Sequence, residues 1–124
     1  MIELVETTVI VDILRGHPPA LVWLGQRKNV ATTPLTWMEI IFGAQNKIAQ
    51  QQSMKVLRLF DVVYLTADDQ EWAMQQLFTY RLSHGIGVTD CLIASVCHRL
   101  NVPLYTHNLK HFAPLLGALA QQPY

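Results

Sequence analysis

The stretch Gly85-Ile86-Gly87-Val88-Thr89-Asp90-Cys91-Leu92-Ile93-Ala94-Ser95 places two glycines directly before an apolar helix pattern. From Leu92 onward, apolar residues recur at i, i+1, i+4 and i+8, which predicts one buried stripe of a helix. Asp90 stands at the start of that helix, where an acid commonly accepts from free backbone N–H groups and complements the helix dipole. Whether Asp90 has a second role depends on the rest of the chain.

Length and composition limit the classes of protein to consider. The chain has 124 residues, 51% of them hydrophobic, so we expect one domain over residues 1–124 with a single substantial core. Nine basic and nine acidic residues cancel, so a polyanion partner would have to meet a local patch or a bound metal. Cys91 and Cys97 match no metal or redox spacing, and no segment resembles a secretion signal or a membrane span. We therefore expect a cytoplasmic protein with no membrane contact.

Strand and helix patterns alternate along the chain. Strands are predicted at residues 2–6, 30–33, 62–65 and 104–106. Helices are predicted at residues 9–15, 20–27, 35–48, 50–60 and 67–84 and after Gly87, whereas residues 108–112 are predicted to form a loop. This alternation indicates an α/β fold with a mostly parallel central sheet flanked by helices.

Polar residues follow the strands of this sheet. Glu6 ends the first strand, Asn108 follows the fourth, and Glu39 and Asp90 follow strand-to-helix junctions. The carboxyl ends of parallel strands converge on one crevice, so these four residues could share a pocket. Three carboxylates and an amide form an oxygen-only ligand set, which suits Mg²⁺ or Mn²⁺ better than Zn²⁺.

Four motifs in order resemble the PIN-domain ribonucleases, most closely the VapC-type toxins of toxin–antitoxin pairs. The opening motif is Glu6-Thr7-Thr8-Val9-Ile10-Val11-Asp12, and the closing motif is Thr106-His107-Asn108-Leu109-Lys110-His111-Phe112. Between them, Glu39 and Asp90 match the second and third acids of the family. The resemblance covers nearly the whole chain and implies a PIN-like three-layer fold with a sheet of four to five short strands.

The resemblance also implies an activity. It implies a Mg²⁺- or Mn²⁺-dependent endoribonuclease with Glu6, Asp90 and Glu39 as metal ligands and Asn108 as a fourth catalytic residue. It further implies an RNA substrate, a cognate antitoxin and a homodimer. One residue departs from the pattern, because Glu6 stands where the family has Asp. The extra methylene moves the carboxylate by about 1.5 Å, and Mg²⁺ demands near-ideal octahedral geometry, so Glu6 could weaken the activity.

Three alternatives remain open at this point. A PIN-like subunit could bind its antitoxin without turnover, because Glu6 would spoil the metal geometry. A phosphoreceiver-like signalling domain has a similar length, but its paired acids after the first strand are missing here. His107 and His111 are spaced as zinc ligands can be, yet no third ligand is in range, so solvated or RNA-facing histidines are the better interpretation.

Overall fold

A computed structural model describes residues 1–124 of the chain. The sheet contains five strands: β1 (Glu3–Val5), β2 (Val30–Thr32), β3 (Asp61–Val62), β4 (Leu104–Tyr105) and β5 (Ala120–Gln121). The helices are α1 (Thr7–Leu14), α2 (Pro18–Gly25), α3 (Pro34–Gly43), α4 (Lys47–Leu57), α5 (Ala67–His84), α6 (Val88–Leu100) and α7 (Leu109–Leu116). A short 3-10 helix, Gly117–Leu119, leads from α7 into β5.

The strand order is β3-β2-β1-β4-β5, and every neighbouring pair is parallel. The predicted α/β fold with a parallel sheet is thereby confirmed. β1 lies at the centre, with β2 and β4 on its two sides. The strand order reverses direction at β1, and in parallel sheets such a switch point opens a crevice at the carboxyl ends of the strands.

Successive strand residues face opposite sides of the sheet, which gives the protein two apolar clusters. Leu4 and Leu104 belong to a cluster formed with α5, α6 and α7. The next residues along these strands, Val5 and Tyr105, belong to a second cluster formed with α1, α2, α3 and α4. The molecule is therefore a three-layer α/β/α fold with helices covering both faces of the sheet.

Several predicted boundaries were wrong. The first helix begins at Thr7, two residues earlier than expected, because Glu6 itself is the N-cap. The third helix ends at Gly43 and a separate helix begins at Lys47, where the Asn46 side chain accepts from the N–H of Ala49. The predicted loop after β4 is largely helix α7, which begins at Leu109.

None of the seven helices combines the length and the hydrophobicity that a membrane-spanning helix requires.

Candidate active site

Glu6 is the most enclosed acid at the carboxyl edge of the sheet. It follows β1 directly, its side chain is only 5% exposed, and its backbone N–H donates to the carbonyl of Tyr105 on the neighbouring strand. The carboxylate oxygen Oε1 accepts from three donors: the Thr8 N–H at 3.2 Å, the Thr8 hydroxyl at 2.7 Å and the Thr106 hydroxyl at 2.7 Å. These bonds keep a buried charge solvated by protein dipoles.

Two threonine hydroxyls link Glu6 to the segment after β4. The Thr8 hydroxyl accepts from the N–H of His107, and the Thr106 hydroxyl accepts from the N–H of Asn108. Each hydroxyl then donates its single proton to Glu6. The strand end at residues 106–108 is therefore fixed to the opening of α1, although about a hundred residues of chain separate them.

Glu39 extends from α3 toward the same edge. Its Oε1 accepts from the hydroxyl of Thr7 at 2.7 Å, and this hydroxyl also lies 3.1 Å from the hydroxyl of Thr36. Although Glu39 lies on an exposed part of the helix, partial burial raises the pKa of its carboxyl above the usual 4.5. The Thr7 hydrogen bond opposes this rise, whereas the charges of Glu6 and Asp90 add to it. Glu39 is thus close enough to Glu6 and to Asp90 to be repelled by both.

Asp90 lies in the first turn of α6. The predicted strand-to-helix junction before Asp90 was wrong, because α6 follows another helix, α5, across a short turn. Oδ2 of Asp90 accepts from the N–H of Gly87 at 3.4 Å, so Asp90 caps the helix from its third position, through the N–H of the N-cap residue and not through those of the first turn. The same oxygen lies 3.0 Å from Nδ1 of His111, on α7, and this nitrogen is in turn 3.2 Å from the amide nitrogen of Asn108. His111 therefore lies between Asp90 and Asn108 and contacts both side chains.

One property is common to the three carboxylates. Each has one oxygen held by hydrogen bonds from the protein, namely Oε1 of Glu6, Oε1 of Glu39 and Oδ2 of Asp90. The other oxygen of each accepts no hydrogen bond from the protein, so three anionic oxygens remain for another partner. Carboxylate oxygens with this freedom suit a hard divalent cation. In the present arrangement no three His, Cys, Asp or Glu side chains are grouped to hold a metal ion, so the shared ligand set stays a prediction.

A cavity of about 340 Å³ opens beside Glu39. It lies between α1, α3 and α4, and its lining includes apolar side chains together with Arg15 and Gln52. Arg15 is therefore a basic residue that lines the same cavity as an acid of the site. Arg81 and Arg99 are occupied elsewhere: the first donates to the carbonyls of Gly85 and Ile86, and the second to Asp69 and to the carbonyl of Tyr64.

The last acid of the opening motif does not join this group. Asp12 accepts a hydrogen bond of 2.7 Å from the Tyr124 hydroxyl, and Nε2 of His107 lies 3.6 Å from the same carboxylate oxygen. The two histidines that invited a zinc interpretation therefore contact different acids, because His107 lies by Asp12 and His111 by Asp90. Asp12 ties α1 to the C-terminal residue.

Sequence reasoning missed the threonines that hold Glu6 and the contact between His111 and Asp90. Thr8 and Thr106 could have been found, because Thr106 directly follows β4 and Thr8 lies in the first turn of the helix after the neighbouring strand β1. The role of His111 had no comparable signal, because residues 108–112 were predicted as a loop and a loop fixes no side-chain direction.

Comparisons with known proteins agree with this fold. The family model of the PIN domain matches residues 4–113. Ribonuclease VapC19 of Mycobacterium tuberculosis is 32% identical over 128 aligned residues, which cover 98% of this chain and 99% of the relative. The chain belongs to the PIN-domain family, and its relatives within that family are of the VapC type.

Two solved structures show the same fold. The VapBC-1 structure from nontypeable Haemophilus influenzae has a TM-score of 0.75 and 25% identity, covering 98% of both chains. A toxin–antitoxin complex from Klebsiella pneumoniae superposes with a TM-score of 0.81 at 24% identity, with 98% of both chains covered. The three-layer architecture is therefore that of these proteins along almost the entire chain.

Proposed function

We propose that this chain is a single-domain, metal-dependent endoribonuclease that acts as the toxin of a toxin–antitoxin pair. The observation that carries the proposal is the group of three interacting carboxylates, each with one anchored and one free oxygen, at the carboxyl edge of the sheet. The VapC-type relative supports RNA as the substrate, because that protein is named a ribonuclease. A cytoplasmic location is consistent with two buried free cysteines.

The residues have separable tasks in this proposal. Glu6, Asp90 and Glu39 would hold Mg²⁺ or Mn²⁺, and such an ion, when bound, supplies an activated water and neutralises charge on the phosphate. Glu39 would orient the attacking water and accept its proton, because a raised pKa makes a carboxylate a better base. Asn108 would position a water or a phosphate oxygen through its amide.

Glu6 should make this enzyme weaker than its aspartate form. Oε1 is fixed by Thr8 and Thr106, so the extra methylene displaces the free oxygen relative to that of an aspartate by up to about 1.5 Å. We therefore expect Glu6→Asp to raise the affinity for Mn²⁺ or the rate of RNA cleavage.

Cleavage of total RNA by the purified protein tests the proposal. The parent chain and Glu6→Asp are compared in EDTA and after addition of Mg²⁺ or Mn²⁺, with Asp90→Asn as the inactive control. Metal-dependent cleavage by the parent chain supports an active enzyme. Cleavage by Glu6→Asp alone would instead identify the parent as a catalytically impaired subunit that only binds its antitoxin. Full cleavage in EDTA would refute a metal-dependent mechanism.

Exposed apolar residues on α3 and α5 support the prediction that the chain binds other proteins. On α5, Met74, Phe78 and Leu82 recur every four residues and are 70%, 89% and 99% exposed, which is unusual for a helix that meets only water. Met38 and Phe42 on α3 are also exposed and line a groove that reaches Glu39. We propose that the α5 stripe joins two copies of the chain and that the antitoxin covers the groove beside Glu39.

The homodimer can be tested without knowing the antitoxin. Sedimentation velocity of the purified chain should show a dimer, and Phe78→Ser should shift it to a monomer because the substitution interrupts the apolar stripe. Phe42→Ser is the matched control, because it also removes an exposed phenylalanine but should leave the dimer intact. A parent chain that sediments as a monomer would contradict the predicted homodimer.

A further inference from the structure

The imidazole of His111 is positioned between two residues of the site. Its Nδ1 lies 3.0 Å from Oδ2 of Asp90 and 3.2 Å from the side-chain amide of Asn108. An ionised carboxylate can only accept a hydrogen bond, so Nδ1 must carry the proton and donate it to Asp90. This requirement fixes the histidine as the donor of the pair.

The same proton determines the orientation of the Asn108 side-chain amide. A protonated Nδ1 cannot accept from the amide NH₂ group that faces it, so Asn108 can bond to His111 only if its carbonyl oxygen takes that place and shares the N–H with Asp90. A half-turn of the amide exchanges its oxygen and nitrogen within nearly the same volume. One imidazole N–H therefore sets the orientation of an acid and of an amide at the same time.

Asp90 has little else to hold it. Apart from His111, the only donor to its carboxylate is the Gly87 N–H at 3.4 Å, which is a long contact. Without the histidine, the carboxylate could rotate and exchange its two oxygens. With the histidine present, Oδ2 is retained and Oδ1 is the oxygen left free.

We propose that His111 is a positioning residue, which holds Asp90 and Asn108 so that Oδ1 of Asp90 is presented to a divalent cation. The inference rests on the proposed function, because it assigns a task to His111 within that site. Residues that orient a metal ligand through a hydrogen bond affect metal affinity by about 10- to 100-fold when they are removed. His111 acts through Asp90 and needs no contact with the RNA.

Two substitutions distinguish a positioning role of the His111 N–H from a role in packing of the side chain. His111→Leu removes the N–H donor at similar volume, whereas His111→Asn keeps a donor, because the Asn amide nitrogen occupies nearly the position of Nδ1. We expect His111→Leu to bind Mn²⁺ about 10- to 100-fold more weakly in titration calorimetry. We expect His111→Asn to recover most of that affinity and His84→Leu, on an exposed part of α5, to match the parent.

A double-substitution cycle tests whether His111 acts through Asp90. In an Asp90→Asn background, the further change His111→Leu should weaken Mn²⁺ binding much less than it does in the parent, because effects of coupled residues do not add. Melting curves in EDTA identify any loss of folding, and His111→Ser replaces His111→Leu if the leucine variant does not fold.

The outcomes distinguish the inference from the proposed function. If the parent binds Mn²⁺ and His111→Leu binds it equally well, the positioning role is refuted and the proposed function stands. Equal weakening by His111→Leu and His111→Asn would also refute it, because it would show that the N–H donor is not what matters. If the parent binds no Mn²⁺ at all, the proposed function fails and the inference fails with it.

Discussion

The substitution Glu39→Gln should stabilise the metal-free protein. Glu39 carries a charge that is partly buried and repelled by Glu6 and Asp90, and its pKa is raised for those reasons. The Gln side chain has the same shape and its Oε1 can still accept from the Thr7 hydroxyl, so the change removes the repulsion and keeps the hydrogen bond. Glu39 is largely open to solvent, so we expect a gain of a few tenths to about 1 kcal/mol, because water screens part of the repulsion.

The pH dependence of this gain has a defined sign. A carboxyl whose pKa is higher in the folded than in the unfolded protein binds more protons when folded, so its ionisation lowers stability as the pH rises through that interval. The advantage of Glu39→Gln should therefore be complete at about pH 8 and should shrink toward pH 4.5, the usual value for the group, where the parent also becomes protonated.

Thermal unfolding in EDTA measures the effect. For a chain of this size, 1 kcal/mol corresponds to about 4 °C, so we expect a rise of about 1 to 4 °C at neutral pH. The rise should be smaller in roughly 1 M NaCl, where the Debye length is only about 3 Å. Glu71→Gln is the matched control, because Glu71 is exposed on α5 and is not among the charges that raise the pKa of Glu39. A Glu39→Gln protein that melts lower, or that gains equally at every pH, would refute the shared acidic pocket.

Two further predictions concern contacts outside the acidic site, and neither effect should depend on Mn²⁺. Asp69→Asn should lower the free energy of unfolding by about 1.5 to 3 kcal/mol, because the buried Asp69 carboxylate would lose its charge-assisted hydrogen bond from Arg99 at 2.9 Å. Urea unfolding measures this, and a change below about 0.5 kcal/mol would contradict it. Tyr124→Phe should cost about 1.5 kcal/mol, because the hydroxyl donates to the Asp12 carboxylate at 2.7 Å. The same assay applies, and an unchanged midpoint would show that Tyr124 does not hold Asp12 in solution.

The positions of Glu6 and Glu39 could be predicted because the topology determines them, whereas Asp90 reaches the same edge on a helix that follows another helix. Glu6 follows a central strand, and Glu39 and Asp90 lie on helices that begin at the carboxyl edge of the same parallel sheet. Errors of a few residues in the element boundaries do not move an acid away from that edge. The placement of Glu6 and Glu39 therefore follows from the alternation of strands and helices, and that of Asp90 from α6 leading into the start of β4.

Helix α7 could not be predicted because its stability is mostly tertiary. It has only eight residues, contains Pro114 and has no side-chain hydrogen bond at its N-cap Asn108. Short helices without strong caps are marginal alone and form where one face is buried, and here Phe112, Leu115 and Leu116 are buried against the core. The contact between His111 and Asp90 depends on this helix, so it was missed with the helix.

The residue pattern did not locate the fifth strand, which the resemblance allowed for, and the reason is related. β5 contains only Ala120–Gln121, which is too short to show any alternation of apolar and polar residues. It exists because β4 offers an open edge, and the N–H of Thr106 donates to the carbonyl of Gln121 at 2.9 Å. The strand thereby satisfies the backbone of the residue whose hydroxyl holds Glu6.

The unequal anchoring of the three acids suggests which of them adjusts when a cation binds. Glu6 is buried and held by three donors, and Asp90 is held through His111, so neither carboxylate can move far without losing charge-assisted hydrogen bonds. Glu39 is exposed and held by a single hydroxyl, and in the metal-free protein the charges of the other two acids oppose its approach. A divalent cation would reverse that repulsion, because it presents two positive charges to the same three oxygens. We therefore expect Glu39 to be the ligand that moves, and this agrees with an arrangement in which the acids interact but do not yet form a closed metal site.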